Sequence, residues 1–272
     1  MASIIHQKTR SFYIEEYTNK KPMADMHYHH AFELYYTVEG ERDYFVGDHY
    51  FKIRKNDLVY IPSGMLHRTT GKGATRFLAY FTKEYLQQYF TDNLLARLLP
   101  DEPFVFRFED ENTTLYDEMS ALLTEFAKQE EGPEEARDGV LLASGLFRIL
   151  FLLATSTNLY VSSIQSEERL TRIVKYVNEN FAAINSLDEV AQRFFISKYY
   201  LCHAFKKHLG VSFVTYLNTL RIRAACRLLR KGSLRLTEIA AACGFNSTSY
   251  FCKVFKDELG LSPREYMTMP EA

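Results

Sequence analysis

The last third of the sequence contains one unit twice. Leu187–Ala191 aligns with Leu236–Ala240 at an offset of 49 residues, and from Ser197 onward the offset is 50. An offset held over thirty residues, with one residue inserted at a turn, indicates an internal repeat. The identical pairs at the second offset are Tyr200/Tyr250, Cys202/Cys252, Phe205/Phe255, Lys206/Lys256, Leu209/Leu259, Gly210/Gly260, Ser212/Ser262 and Tyr216/Tyr266. Each copy reads as a short helix, a turn and a longer helix, which is the helix-turn-helix pattern.

Apolar spacing predicts where these helices lie, at about 187–209 for the first unit and 236–258 for the second. Leu201, Phe205 and Leu209 recur every four residues, which gives the longer helix one buried stripe. A linker helix over 213–230 is expected between the units, and its length of about 27 Å suits two reading helices about one duplex turn apart. The apolar face predicted for it contains Val214, Leu217, Leu220, Ala224, Ala225, Leu228 and Leu229.

A family resemblance rests on these residues. The patterns Leu201-x-x-x-Phe205-Lys206-x-x-x-Gly210, Glu238-Ile239-Ala240-x-x-x-Gly244-Phe245 and Gly260-x-Ser262-Pro263-x-x-Tyr266 resemble those of AraC/XylS-family bacterial transcription regulators. The resemblance covers about the last hundred residues of the chain. One departure is Met267, which stands where the family usually has Arg.

The resemblance implies which side chains touch double-stranded DNA. The base-reading positions of the family fall on Tyr199, Cys202, His203, Thr248, Ser249 and Lys253. Lys253 suits a guanine edge best, because lysine donates to the guanine acceptors in the major groove. Phosphate contacts are expected from Lys198, Lys206, Lys207, Lys256 and Arg221, with a solvated basic face as the alternative. For Arg221 an internal brace is a further alternative.

Charge is divided unevenly along the chain, although the formal net charge is only −1. From Glu167 to the end there are 16 Lys and Arg against 10 Asp and Glu, whereas the first 166 residues hold 17 against 24. This asymmetry is typical of a DNA-binding module joined to an acidic sensing module. No apolar run reaches the length of a membrane span and the N-terminus lacks a signal-peptide apolar region, so we expect a cytoplasmic protein that does not enter the membrane.

The four cysteines, Cys202, Cys226, Cys243 and Cys252, all lie in the helical part and form no Cys-x-x-Cys pair. In a reducing compartment such residues are usually small apolar side chains. We favour that interpretation over a zinc site or redox switch, because the ligand spacing for zinc is missing.

Residues 26–82 have the pattern of short β-strands. Phe32–Val38, Tyr44–Ile53, Leu58–Ile61 and Arg76–Thr82 are aromatic or β-branched, and turns rich in Gly, Asn and Asp separate them. The spacing predicts a small barrel or jelly roll over about residues 10–82, with a further strand at 103–108. Phe12–Ile14 reads as an edge strand, and an arm over the pocket, as the family resemblance suggests, is the alternative.

Two short motifs in these strands resemble those of cupins. They are His27-x-His29-x-x-x-Glu33 and Pro62-x-Gly64-x-x-His67. Odd-numbered spacing predicts that His27, His29, Glu33 and Tyr35 share one strand face directed into the barrel. The sequence departs from the cupin pattern at Lys21 and Asn56, where glycines are expected, and lacks the closing Asn after His67.

Two interpretations of this pocket remain open. In AraC-type sensors the same positions line a pocket for a small effector, commonly a sugar, so His27, His29, Glu33, Tyr35 and His67 would bind it. We favour this interpretation, with no cofactor. Three imidazoles and a carboxylate also match the ligands of a divalent metal, in a metal-dependent cupin enzyme or a metal-responsive regulator. Simple hydrogen-bonded barrel residues are the structural alternative.

Helices are expected at about 83–99 and 112–155. Leu86, Tyr89, Phe90, Leu94, Leu95, Leu98 and Leu99 form one predicted apolar stripe. Val140–Ala154 is apolar on more than one side and must be covered on more than one side. The family resemblance adds a homodimer interface built from such helices. A polar linker at 161–166 would then separate an effector-binding and dimerisation domain, 1–160, from a DNA-binding domain, 167–272.

The sequence thus predicts an α+β chain of two domains, a cupin-like barrel with following helices and an all-α domain of two helix-turn-helix units. The expected function is sequence-specific transcription regulation rather than catalysis. An effector, most simply a carbohydrate, would shift the placement of the DNA-binding parts. The family's commoner mode is activation, which implies RNA polymerase as a further partner.

Overall fold

The computed structural model describes residues 5–7, 11–21, 26–107, 114–131, 139–155, 159–160 and 168–268. The chain forms two compact units, Gln7–Gln165 and Ser166–Ala272, the second together with Met1–His6. The predicted linker 161–166 lies outside the described residues. Strands dominate the first unit and helices the second, which confirms the predicted fold class. None of the helices in the described ranges combines the length and apolar character that crossing a membrane requires.

The first unit is built on antiparallel strands, and the first strand, β1, begins ahead of it, within Met1–His6. Their bounds are β1 (Ile5–Gln7), β2 (Phe12–Lys20), β3 (His27–His29), β4 (Phe32–Glu39), β5 (Glu41–Val46), β6 (His49–Arg54), β7 (Asp57–Ile61), β8 (His67–Gly71), β9 (Ala74–Phe81), β10 (Phe104–Arg107) and β11 (Leu159–Tyr160). One sheet has the order β11-β10-β7-β4-β9-β2, and in the other β3, β8, β5 and β6 lie side by side. Strand β2 is at an edge, as the sequence predicts.

Alternation along the strands gives the larger sheet two apolar faces. Leu34 and Tyr36 on β4, with Phe77 on β9, belong to a core cluster that includes helical residues. Tyr35 and Leu78, which are paired across β4 and β9, belong to a second cluster with residues of β5 and β6. The second cluster fills the space between the two sheets, and the candidate effector site lies there.

Helices cover the outer face of the larger sheet. They are α1 (Lys83–Gln87), α2 (Asp92–Leu98), α3 (Thr114–Glu131) and α4 (Gly139–Thr155). The single helix expected over 83–99 is wrong. The first helix ends at Gln87, and Thr91, whose backbone is extended (φ −72°, ψ 150°), precedes the start of the second at Asp92. Because Leu86, Leu95 and Leu98 still reach the same core, the apolar pattern alone did not reveal the break.

From Glu168 onward the described residues of the second unit form helices joined by short turns. Its elements are α5 (Glu168–Asn180), α6 (Leu187–Arg193), α7 (Lys198–Ala204) with a π-helical turn (Phe205–Leu209), α8 (Phe213–Lys231), α9 (Leu236–Ala242), α10 (Thr248–Leu259) and α11 (Pro263–Thr268). The two copies of the repeat are the pairs α6–α7 and α9–α10, and α8 joins them.

Local signals repeat between the copies as well. Ser197 Oγ accepts a hydrogen bond from Tyr200 N at 3.1 Å, and Ser247 Oγ accepts one from Tyr250 N at 3.2 Å. These serine caps satisfy backbone donors that a helix start would otherwise leave unpaired. The two longer helical segments therefore begin in the same way.

The turns within the two copies each contain one residue with a positive φ. Gly244 has φ +82°, and Phe195, which aligns with it at the offset of 49, has φ +52°. A Cβ on Gly244 would overlap the carbonyl oxygen of Ala182, so glycine is required there by space as well as by φ. Phe195 instead projects into solvent with 95% of its side chain exposed.

Helix α8 is braced from within the unit. Arg221 Nε donates to Phe181 O at 3.1 Å and Arg221 Nη2 donates to Ile184 O at 2.6 Å. Arg221 is also only 9% exposed, so it acts as an internal brace rather than as a phosphate contact. Val214 was wrongly assigned to the apolar face of this helix, since it is 53% exposed. It lies in the first turn of the helix.

Candidate nucleic-acid interface and barrel site

The first candidate reading surface is the outward side of α7. Leu201 and Phe205 are fully buried, so the opposite side of the helix faces solvent. The predicted contact residues Tyr199, Cys202, His203 and Lys206 are all exposed there. The rings of Tyr199 and His203 stack with centroids 6.2 Å apart and an interplanar angle of 11°. This surface offers a flat aromatic pair, polar atoms and one lysine.

The second candidate surface is the outward side of α10. Phe251 and Phe255 are fully buried. Ser249, Lys253 and Lys256 are exposed, whereas Thr248, in the first turn, is half-buried. This surface carries hydroxyl groups near the helix start and cations further along, which are donors of the kind that base edges and phosphates accept.

One predicted phosphate-binding lysine has an internal partner. Lys198 Nζ lies 2.5 Å from Asp188 Oδ1 across the turn between α6 and α7. The pair is solvent-exposed, so its net stabilisation is about 0–1 kcal/mol and a phosphate can compete for the lysine. Lys206, Lys207 and Lys256 are exposed, in keeping with either phosphate contact or a solvated basic face.

Glu33 is the centre of the barrel site. Its carboxylate is 2% exposed. Glu33 Oε2 lies 2.9 Å from His29 Nε2 and 3.2 Å from His67 Nε2, and Glu33 Oε1 accepts from Tyr44 Oη at 2.9 Å. Burial alone would raise the pKa of the Glu33 carboxyl, but the charges and hydrogen bonds of His67 and His29 hold it well below its ordinary value. Glu33 is therefore a buried carboxylate.

Backbone carbonyls orient both imidazoles. His29 Nδ1 contacts Ala31 O at 2.8 Å and His67 Nδ1 contacts Met65 O at 2.8 Å. A carbonyl oxygen only accepts, so each Nδ1 donates and each Nε2 is directed at Glu33. A contact between Nε2 and a carboxylate then requires positive charge between them. A proton shared between Nε2 and the carboxylate would supply it, and so would a metal ion.

Three of the four predicted metal ligands meet the geometric requirement. His27, Glu33 and His67 each present one ligand atom, and these atoms lie within 4.8 Å of one another. Two imidazole nitrogens and a carboxylate oxygen fit zinc, iron or manganese by donor type. His29 stands outside this group. Within the described ranges, His27, Glu33 and His67 are the one group of at least three His, Cys, Asp or Glu residues that could hold a metal ion. The cysteines therefore take no part in a metal site there.

The structure corrects how these side chains come together. His27 and His29 lie on β3, whereas Glu33 lies on β4 in the other sheet, so they do not share one strand face. The chain leaves one sheet and enters the other at His30 and Ala31. Strand β3 pairs with β8 through His27 and His67, which brings the second motif to the first. The residues still converge because the two sheets face each other.

Tyr35 is buried between the sheets, two residues along β4 from Glu33. Its ring lies 5.1 Å from the ring of Tyr44. Burial raises the pKa of Tyr35 to about 12, so its hydroxyl keeps its proton at neutral pH. Tyr44 was missed as a site residue, although its alternation with Val46 on a predicted strand could have placed it inside the barrel.

A departure from the cupin pattern has a structural explanation. Asn56, where a glycine is expected, has φ +67°. Asparagine adopts this left-handed conformation more readily than other side-chain-bearing residues. Its side chain also accepts a hydrogen bond from Tyr36 Oη at 3.1 Å. The turn before β7 therefore forms without the glycine.

Comparison with known proteins matches each unit to a family model. Residues 190–269 match a helix-turn-helix domain and residues 13–81 match a cupin domain. The HTH-type transcriptional regulator YijO of Escherichia coli K12, itself named as uncharacterized, is 33% identical over 151 residues, which are 54% of this chain and 51% of that protein. The HTH-type transcriptional activator RhaS of Escherichia coli SMS-3-5 is 30% identical over 176 residues, which are 63% and 62% of the two chains.

The chain thus spans about half to three-fifths of the length of these curated relatives. Among solved structures, ToxT from Vibrio cholerae is 16% identical and aligns over 97% of this chain and 100% of its own, with a TM-score of 0.37.

Proposed function

We propose that this chain, which joins a cupin domain to a helix-turn-helix domain, belongs to the AraC family and is a sequence-specific transcription regulator controlled by an effector bound in its barrel. The observation that carries the proposal is the duplicated helix-turn-helix unit. In both copies the apolar stripe of the longer helix is buried, and the exposed side carries polar and basic residues. Two such surfaces on one chain suit two successive major-groove segments of one duplex.

Each copy would contribute a different kind of contact. In α10, Lys253 is assigned to a guanine edge, with Ser249 and Thr248 nearer the helix start. In α7, Tyr199, Cys202 and His203 offer shorter and weaker donors, so this copy specifies less sequence. Lys206 and Lys256 occupy aligned positions, and both are assigned to phosphates, which set position and affinity rather than sequence.

The effector assigned to the barrel is a carbohydrate held by His27, His29, Glu33, Tyr35 and His67. A buried carboxylate with oriented imidazoles and tyrosine hydroxyls supplies the acceptors and donors that sugar hydroxyls need. Tyr35 and Tyr44 add aromatic surface for a sugar ring. No cofactor is needed for this role.

Activation, with RNA polymerase as partner, is the proposed mode, since the relative RhaS is named an activator. A homodimer is proposed through α4, whose side chains Leu141 and Phe151 are 51% and 53% exposed. Removing such apolar area from water on dimerisation would stabilise the assembly. Sedimentation of the full chain, with Phe151→Ser as the variant, tests the dimer: the variant should sediment as a monomer.

A second function is favoured by one observation, the group formed by His27, Glu33 and His67. A metal bound there would make the chain a metal-responsive regulator or a cupin enzyme. A thermal-shift plate with sugars, divalent metals and a chelator separates the two functions. An effector at 100 times its dissociation constant stabilises a protein by about 2.7 kcal/mol. Stabilisation by sugars that Glu33→Ala and His67→Ala abolish supports the effector proposal, whereas stabilisation by metal alone, reversed by chelator, supports the metal site.

Two lysine variants test the DNA assignment. Lys253→Ala should relax the base preference at one position of the site, by about 1–3 kcal/mol of discrimination. Lys256→Ala should weaken binding to all duplexes alike and reduce the salt slope by about one. Selection of binding sites from random duplexes measures the first and binding titrations at several salt concentrations measure the second. An unchanged preference in Lys253→Ala would remove that residue from the reading surface.

A further inference from the structure

Two arginines lie inside the barrel beyond the Glu33 cluster. Arg42 on β5 is 2% exposed and Arg76 on β9 is 4% exposed. Arg42 lies two residues before Tyr44 on β5, and Arg76 lies two residues before Leu78 on β9. Tyr44 and Leu78 both belong to the cluster between the sheets. Residues two apart on a strand share a face, so both guanidinium groups start from the interior face.

Arg76 is buried against two tyrosine rings. Its guanidinium carbon lies 4.8 Å from the ring centroid of Tyr17 and 5.6 Å from that of Tyr35. Its Nε and Nη1 atoms are buried without a hydrogen-bond partner among the described residues. Thr37, which is directly opposite Arg76 in the pairing of β4 with β9, has a buried Oγ1 atom that also lacks a partner there.

Arg42 brings a second positive charge to the same interior. Its Nη1 donates to Thr69 Oγ1 at 3.4 Å, a long hydrogen bond. Burial lowers the pKa of Arg42, and the nearby charge of Arg76 lowers it further. The positive charges of Arg42 and Arg76 both lower the pKa of Tyr35, against the larger effect of burial. The tyrosine hydroxyl therefore lies near both guanidinium groups. Two like charges are therefore buried close together.

Two carboxylates among the described residues of the barrel have other partners. Glu33 is held by His29, His67 and Tyr44. Glu15 on β2 is half-exposed and accepts a hydrogen bond from Tyr13 Oη at 2.5 Å. Burying a cation is costly unless an anion compensates it. The unpaired donors of Arg76 inside the proposed effector barrel suit an anionic ligand, and Arg42 adds positive charge beside them.

We propose that the effector is a small acidic molecule whose carboxylate or phosphate group binds between Arg42 and Arg76, with Tyr35, Thr37 and Thr69 as neutral hydrogen-bond partners. This inference rests on the proposed effector function of the barrel and narrows it from neutral sugars to sugar acids or sugar phosphates. Glu33 and Thr37 are four residues apart on β4, or about 13 Å. Hydroxyl groups would bind at the Glu33 end and the acidic group at the arginine end.

Matched pairs of probes test this charge preference. Thermal shifts of the full chain are compared for glucose and galactose, for glucuronate and galacturonate, and for glucose 6-phosphate and galactose 6-phosphate. An acidic probe should raise the melting temperature at concentrations at which its neutral parent does not. A shift with the uronates but not the phosphate esters identifies a carboxylate as the ligand group, and the reverse identifies a phosphate.

Three variants assign the effect to residues. Arg76→Gln and Arg42→Gln should each lower the affinity for the acidic probe at least tenfold. Arg54→Gln, on the exposed side of β6, should leave that affinity unchanged. Without ligand, Arg76→Gln should melt no lower than the parent chain, because it removes a buried charge. DNA binding by the variants provides a second check on their folding.

The outcomes separate this inference from the function on which it rests. If neutral sugars bind as well as their acids, and Arg76→Gln does not weaken the acids, the acidic-effector proposal is wrong while the effector barrel stands. If no probe raises the melting temperature, or if every shift persists in Glu33→Ala and Arg76→Gln, the effector function of the barrel is wrong as well.

Discussion

Replacing Gly244 with alanine tests how the second helix-turn-helix unit is held in shape. A residue with a side chain at φ +82° costs about 1–2 kcal/mol. The added Cβ would also overlap Ala182 O and lie 2.8 Å from Ala182 Cα, both of which are backbone atoms. Forcing the loop after α5 to move costs about 1–3 kcal/mol more. Gly244→Ala should therefore lower the free energy of unfolding by about 2–5 kcal/mol.

Gly260 provides the matched control. It has φ +77°, and a Cβ there would meet nothing within 4 Å. Gly260→Ala therefore carries the conformational cost alone, about 1–2 kcal/mol. Urea denaturation followed by far-UV circular dichroism compares the variants, and hydrogen exchange of α9 and α10 localises the loss. Equal destabilisation by both substitutions would show that the contact with Ala182 does not hold the unit.

Three further predictions follow from the same structure. Phe195→Gly should raise the free energy of unfolding by up to about 1 kcal/mol in thermal melts, because it relieves a positive φ and removes an exposed side chain. Burial raises the pKa of Glu258 to about 7, so the free energy of unfolding should fall as pH rises from about 4.5 to about 7. In urea titrations at pH 8, Glu258→Gln should be more stable than the parent chain by about 1–2 kcal/mol. At pH 4 the two should be equally stable. Tyr216→Phe loses the hydrogen bond to Asn178 Oδ1 at 2.7 Å and should cost about 1 kcal/mol in the same titrations.

The helical half could be predicted from sequence because its signals are local. The stripes formed by Leu201 and Phe205, and by Phe251 and Phe255, recur within single helices, and serine caps mark helix starts. The repeat then supports each assignment with a second copy. Phe195 escaped notice, although its alignment with Gly244 is a signal that the turn needs a positive φ.

The barrel site could be predicted only in part, because sheet pairing joins residues that are distant in sequence. The motif residues His27, Glu33 and His67 do converge, but the crossing of the chain from one sheet to the other after His29 has no local signal. Arg42 and Arg76 read as ordinary strand charges. Their burial follows from the interior faces of β5 and β9, which become known only when the two sheets are placed face to face.

Selection of binding sites from random duplexes by the full chain tests the central claim most directly. If both helix-turn-helix units read DNA, the selected sequences should contain two preferred blocks with centres about 10 base pairs apart, one helical turn. The block read by α10 should be the more strongly specified, because Lys253 lies there. A single block, or no enrichment over random duplexes, would contradict the account.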